Sequence, residues 1–252
     1  MFVMLRLGDM TAKQFLRRHW QKSPRLIAHG FPRFENFIDR RRAIALACSH
    51  DVESRLVLRN RRQWRVEHGP FKRSDFNKLP EKNWTLLVHG VNFHLKEADR
   101  LLREFSFIPF WRLDDIMASY AAPGGGVGPH FDSYDVFLLQ GIGARRWRIG
   151  RVRDSALTPN APLNLLKNFT ADCEHVVERG DVLYLPPGFA HDGTALDECV
   201  TYSIGFRAPA AQEFGVEFLI HLQDKLALEG SYRDPDLNLQ RAPAKISDQA
   251  FS

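Results

Sequence analysis

Four glycines in five residues, set directly before a His-x-Asp pair, constrain this chain more than any other feature: Pro123-Gly-Gly-Gly-Val-Gly-Pro-His-Phe-Asp132. Glycine lacks a Cβ, so the run can adopt conformations closed to other residues and bring backbone close to whatever the pair holds. His130 and Asp132 are two positions apart. On a strand that spacing turns both side chains to one face and sends Phe131 and Ser133 to the other, whereas on a helix the pair would diverge. An imidazole nitrogen and a carboxylate oxygen on one face can be neighbouring ligands of one metal ion. Alone, the pair reads more readily as an ordinary surface or core histidine.

A second segment, Gly180-Asp-Val-Leu-Tyr-Leu-Pro-Pro-Gly-Phe-Ala-His191, reads as an apolar strand, a Pro-Pro-Gly turn and a histidine opening the next strand. It resembles the second cupin motif, G-x5-P-x-G-x2-H, at each specified position through the histidine; Ala195 stands where that motif closes on asparagine. Two histidines and one carboxylate form the facial set favoured by non-heme iron(II), with three coordination positions open. Zinc competes, but structural zinc sites are closed and usually cysteine-rich. The three cysteines here, Cys48, Cys173 and Cys199, form no C-x-x-C pair, which suggests a reducing compartment and no disulfide framework. His19, His29, His50, His68, His89, His94, His175 and His221 lack comparable partner spacing and read as structural or surface residues.

The pattern around these segments predicts short helices over Thr11–Lys22, Asp39–Ser49 and Glu97–Phe105. Strands are expected at Arg55–Leu58, Gln63–Glu67 and Trp84–Val91, then strand and turn from Phe110 to Arg207. Ala211–Leu228 returns to helical spacing, with Phe214, Phe218, Leu219, Leu222 and Leu226 on one side, before a polar tail from Tyr232 to Ser252 expected to be poorly ordered. With 252 residues, 44% hydrophobic, the chain can bury one substantial core. The expected class is mainly β with flanking helices, closed as a sandwich or barrel. No stretch approaches the roughly 20 apolar residues of a membrane span, and no secretory leader pattern opens the chain, so a soluble cytoplasmic protein without membrane association is expected.

Net charge is +5, concentrated in the first third at Arg40, Arg41, Arg42, Arg55, Arg59, Arg61, Arg62, Arg65, Lys72 and Arg73. Two readings stand: a solvated face paired to Asp39, Glu53 and Glu67, or a surface that meets RNA or an RNA-bound protein. Strand alternation through Arg145-Arg-Trp-Arg148 puts Arg145 and Trp147 on one face and Arg146 and Arg148 on the other. An arginine facing a barrel interior needs a carboxylate, which its planar fork binds bidentately. That carboxylate could belong to the protein or to a small acid; Ser119, on the strand Ile116–Ala121, could add a hydroxyl donor to the same group.

The strings WRLDDIMASYAAPGGGVGPHFDSYDVFLLQGIGARRWRIG and ERGDVLYLPPGFAHDG closely resemble the bacterial ribosomal oxygenases, JmjC-type hydroxylases. FLRRHWQKSP, HGPF and YSIGFRAP extend the resemblance over nearly all of residues 10–235. The resemblance implies a double-stranded β-helix (JmjC/cupin jelly roll) with iron(II) on His130, Asp132 and His191, and 2-oxoglutarate held by Arg145 and Ser119. It also implies consumption of dioxygen and 3-hydroxylation of an arginine in a large-subunit ribosomal protein. Tyr134 and Asp135, just past the His-x-Asp strand, are expected at the lip of the site, where a carboxylate could meet a guanidinium. Residues 1–208 are expected to form the catalytic domain and 209–252 to resemble the start of a dimerisation region, giving a homodimer. Members of that family generally continue into a winged-helix-like module, which this sequence does not show before Ser252. Two other readings stay open: an oxygenase of the same type acting on another protein residue or a small molecule, and a non-catalytic binding module on the same fold.

Overall fold

The computed structural model describes residues 5–60, 63–207, 209–231, 233 and 235. The chain divides into two compact units, Met1–Ala208 and Pro209–Ser252. Among the described residues of the first unit, helices α1 (Ala12–Arg18), α2 (Arg40–Ala47), α3 (Val91–His94) and α4 (Lys96–Arg103) accompany twelve strands. The strands are β1 (Arg25–Ile27), β2 (Ser54–Asn60), β3 (Gln63–His68), β4 (Trp84–Val88), β5 (Leu113–Ala121) and β6 (His130–Phe131). They continue as β7 (Asp135–Ile142), β8 (Arg145–Arg151), β9 (Cys173–Val177), β10 (Val182–Leu185), β11 (Phe189–Ala195) and β12 (Cys199–Phe206). All strand pairs are antiparallel, in an eight-stranded sheet of order β1-β10-β7-β12-β5-β4-β2-β3 and a four-stranded sheet of order β6-β11-β8-β9. This is a jelly roll, the expected double-stranded β-helix.

Alternation along the central strands assigns each face of the large sheet a separate task. Phe137 and Leu139 on β7, Tyr184 on β10, and Val200, Tyr202, Ile204 and Phe206 on β12 join one large core with Phe15, Phe31 and Phe105 from the helices and loops. Burying each such ring is worth about 1.5–3 kcal/mol, so this layer anchors the sheet. The intervening residues Val136, Leu138, Thr201 and Ser203 turn to the opposite face and line the space between the two sheets.

Local chemistry explains where elements stop. Thr11 caps α1 through a reciprocal pair with Gln14, at 3.2 Å and 2.9 Å, satisfying donors that the helix start leaves open. The strand expected through Val91 ends at Val88, because Gly90 takes a left-handed φ of 61° and starts α3. Between β8 and β9 the expected run of strands is loop, with a single bridge between Leu157 and Leu166. The second unit contains α5 (Ala211–Lys225), where Glu213 accepts from the Ala210 backbone N–H at 3.1 Å. The tail expected to be poorly ordered, Tyr232 to Ser252, lies outside the described residues apart from Arg233 and Pro235.

Candidate metal centre

The glycine run is threaded between two strands, which accounts for its composition. Gly124 donates to the Ala195 carbonyl and Ala195 donates to that of Gly125, both at 2.8 Å. A Cβ at Gly126 would lie 2.3 Å from the Gly193 carbonyl oxygen, so no larger residue fits there. The run delivers His130 to β6, where it pairs directly with His191 of β11. Because β6 is only two residues long, Asp132 sits just beyond the ladder.

His130, Asp132 and His191 each offer a ligand atom within 4.8 Å of the others. His191 Nε2 is 3.8 Å from Asp132 Oδ2. His130 Nδ1 lies 2.9 Å from the Gly128 carbonyl, which can only accept; Nδ1 therefore carries a hydrogen, and Nε2 is the ring nitrogen left to face a metal. Burial, reinforced by His130, holds the His191 pKa well below the ordinary range, so its imidazole is neutral. Burial also raises the Asp132 pKa, with His130 opposing. A divalent cation would offset that desolvation directly. Two imidazoles and one carboxylate on one side of a cavity therefore fit a metal with open positions.

The cavity, of about 280 Å³, lies between the sheets. Arg145 enters it from β8, only 4% exposed, and donates through Nη2 to Ser119 Oγ at 3.3 Å and to Cys199 Sγ at 3.6 Å. No ion pair to Arg145 occurs among the described residues, and its Nε is buried without a partner. Of the two carboxylate sources left open by the sequence, a protein acid is therefore not found among the described residues. A buried guanidinium without a counter-charge marks a place for an anionic ligand.

Tyr134 lines the cavity and is 38% exposed, but Asp135 does not take the lip position expected for it. It is fully buried, accepting from Tyr184 Oη at 2.5 Å and Gln21 Nε2 at 3.0 Å, with Arg112 Nη2 at 3.4 Å. The reason is parity: one residue along from Tyr134, its side chain shares the Phe137 face of β7 and points into the helical core. The carboxylate that lines the cavity besides Asp132 is Asp115, which shares the β5 face of Met117 and Ser119. It accepts from the Gly90 N–H at 2.8 Å, and burial raises its pKa. His89, expected to be structural or superficial, also lines the cavity, with Nε2 2.7 Å from Arg55 Nη2. Counting back by twos from Ser119 would have found Asp115; nothing in the sequence flags the Arg55–His89 contact.

Residues 100–214 match the JmjC domain family. Over 236 residues the chain is 42% identical to a ribosomal protein uL16 3-hydroxylase of Escherichia coli K12, covering 93% of this chain and 63% of that protein. A probable ribosomal oxygenase of Haemophilus influenzae is 40% identical over 94% of this chain and 58% of its own length. The chain therefore spans roughly three fifths of these relatives. The fold superposes on the crystal structure of Escherichia coli ycfD with a TM-score of 0.85 and 41% identity, over 99% of this chain and 66% of that one. Another structure of that oxygenase, with a TM-score of 0.82 and 40% identity over 100% of this chain and 65% of that one, holds cobalt and 2-oxoglutarate.

Proposed function

We propose that this JmjC-domain chain is an iron(II)- and 2-oxoglutarate-dependent oxygenase that hydroxylates C3 of an arginine side chain in a large-subunit ribosomal protein, with residues 1–208 as its catalytic domain. The observation that carries the reading is the meeting, in one cavity, of the His130–Asp132–His191 set with an arginine that has no protein counter-charge. The likeness to a uL16 3-hydroxylase and to an oxygenase holding 2-oxoglutarate supports the choice of reaction and substrate.

Iron, when bound, supplies dioxygen activation, with the two-electron oxidation of 2-oxoglutarate to succinate and carbon dioxide driving it. The chain's own residues do the positioning. His130 Nε2, Asp132 and His191 would hold the metal on one side, leaving the other side to ligands. Arg145, steadied by Ser119, would take the far carboxylate in a site from which Val136, Leu138 and Trp147 exclude water. Asp115 and Tyr134 replace the expected Tyr134–Asp135 pair at the substrate end: a carboxylate raised in pKa by burial gains most from a guanidinium that restores its counter-charge.

A cytoplasmic location suits a ribosomal substrate, and no helix among the described residues is long and apolar enough to cross a membrane. RNA proximity through the basic first third remains part of the proposal, although Arg42 pairs with Glu97 at 3.0 Å and Arg65 with Glu67 at 2.6 Å; Arg61 and Arg62 lie outside the described residues. A homodimer involving 209–252 belongs to the proposal in the same way. The test is 2-oxoglutarate turnover with iron(II), with and without a peptide of the ribosomal protein. Peptide-stimulated turnover lost in Asp132→Ala supports the assignment; turnover indifferent to the peptide points to another protein residue or a small molecule; tight iron binding with no turnover points to a binding module.

A further inference from the structure

Trp147 is a cavity residue whose polar atom has no task in the mechanism above. It lies two positions after Arg145 on β8, is 5% exposed and lines the same cavity. Its Nε1–H is buried and has no hydrogen-bond partner among the described residues. A buried indole N–H ordinarily finds an acceptor, because without one it loses its hydration and gains nothing in exchange.

The ring's orientation is fixed by Gly193, its cross-strand neighbour on β11. A Cβ at Gly193 would meet Cζ3 at 2.5 Å, Cη2 at 2.6 Å and Cε3 at 2.8 Å. The six-membered edge is thus pressed against β11, and the opposite edge, which carries Nε1, turns away from that strand. The Arg145 guanidinium lies 5.6 Å from the centroid of the same indole, and the His191 ring is also 5.6 Å from it. The indole therefore bridges the metal-binding corner and the unpaired arginine. Two buried donors without partners, Arg145 Nε and Trp147 Nε1, belong to residues lining one small cavity.

We propose that Trp147 is a ligand-binding residue: its Nε1–H donates to a carboxylate oxygen of the dicarboxylic acid whose far end Arg145 holds. The inference rests on the 2-oxoglutarate reading of the cavity. A dicarboxylate reaching from the metal to Arg145 passes along the indole, and its oxygens can accept from both orphaned donors. Hydrogen bonds to a charged acceptor are the shorter and stronger kind. Gly193 acquires a reason as well, since a side chain there would displace the ring that presents the donor. If the tryptophan served only as filling, its ring would matter and its N–H would not, so Trp147→Phe separates the two roles.

The test uses the whole chain with its five tryptophans labelled at the indole nitrogen, loaded with zinc(II) to fill the metal site without turnover and titrated with 2-oxoglutarate. The Trp147 resonance is identified by its absence from Trp147→Phe. The expected result is a downfield move of that N–H saturating with ligand binding, and affinity about tenfold weaker in Trp147→Phe. If the variant does not fold, the Trp147 resonance is assigned in the wild-type chain by through-bond triple-resonance experiments, and its response decides alone. The inference is overturned if 2-oxoglutarate binds in an Arg145-dependent manner while the Trp147 resonance stays in place. Absence of any 2-oxoglutarate binding to the wild-type chain would overturn the dicarboxylate reading itself, and this inference with it.

Discussion

His130 on β6 and His191 on β11 are direct cross-strand partners, with ring centroids 4.3 Å apart. Their relation is therefore set by ladder register, before any metal arrives. The same strand β11 is held on its other side by β8, which carries Arg145 and Trp147. The two histidines and Arg145 share one small sheet, so their separation is a property of backbone pairing, a rigid means of pre-organising a site.

Metal removal should leave the fold standing, because the core that anchors the large sheet lies on its far face. Exhaustive chelation is expected to preserve the far-ultraviolet circular dichroism spectrum. It should lower Tm by roughly 5–10 °C, the order expected when about 2.7 kcal/mol of ligand stabilisation is withdrawn. Collapse of the spectrum would show that the metal holds the fold together.

Gly126→Ala should disable the site through backbone collision rather than through lost contacts. The added methyl would lie 2.3 Å from the Gly193 carbonyl oxygen, forcing apart the glycine run and β11. A destabilisation of about 1–3 kcal/mol, read by urea unfolding, should accompany weaker binding of zinc(II) by calorimetry. Wild-type affinity for zinc(II) would contradict this account of the run.

Asp135 and Asp115 should behave as opposites. Asp135→Ala leaves Arg112 and the Tyr184 hydroxyl without their buried acceptor, and a cost of about 3–5 kcal/mol is expected in unfolding experiments. Asp115→Ala should leave stability nearly unchanged and abolish peptide-stimulated turnover. Unaltered stability in Asp135→Ala would return that residue to the lip of the site.

The pH dependence of Asp115 has a definite sign. Burial raises its folded pKa above the unfolded value, so the ionised form costs stability: the cost is absent below the unfolded pKa and fully present above the folded one. Asp115→Asn, which can still accept from Gly90, should therefore melt higher than wild type at neutral pH, with the advantage disappearing as pH falls through the acid range. A pH-independent difference in Tm would assign the effect to packing instead.

Much of this site was legible because strand parity is a strict rule. Arg145 and Trp147 face the cavity while Arg146 and Arg148 are exposed, as the two-residue period requires. Asp135 went astray under the same rule: its closeness in sequence to Asp132 suggested a shared site, but one residue's offset from Tyr134 places it on the core face. The end of β4 drifted for a different reason, since Gly90 stops a strand pattern that hydropathy alone would extend through Val91. The Arg55–His89 contact joins residues 34 positions apart, and such a pairing depends on a ladder between β2 and β4 that no local pattern specifies.

The central claim is that one cavity couples a metal to an arginine-bound dicarboxylate for oxidation of a substrate side chain. The most direct measurement is mass spectrometry of an arginine-containing peptide of the ribosomal protein after incubation with the chain, iron(II), 2-oxoglutarate and air, with succinate quantified in parallel. The account predicts one oxygen added to the arginine side chain in step with succinate, and neither product from Asp132→Ala or Arg145→Ala. An unmodified peptide from protein that binds both iron and 2-oxoglutarate would contradict the assigned substrate, and succinate formed undiminished by Arg145→Ala would contradict the site itself.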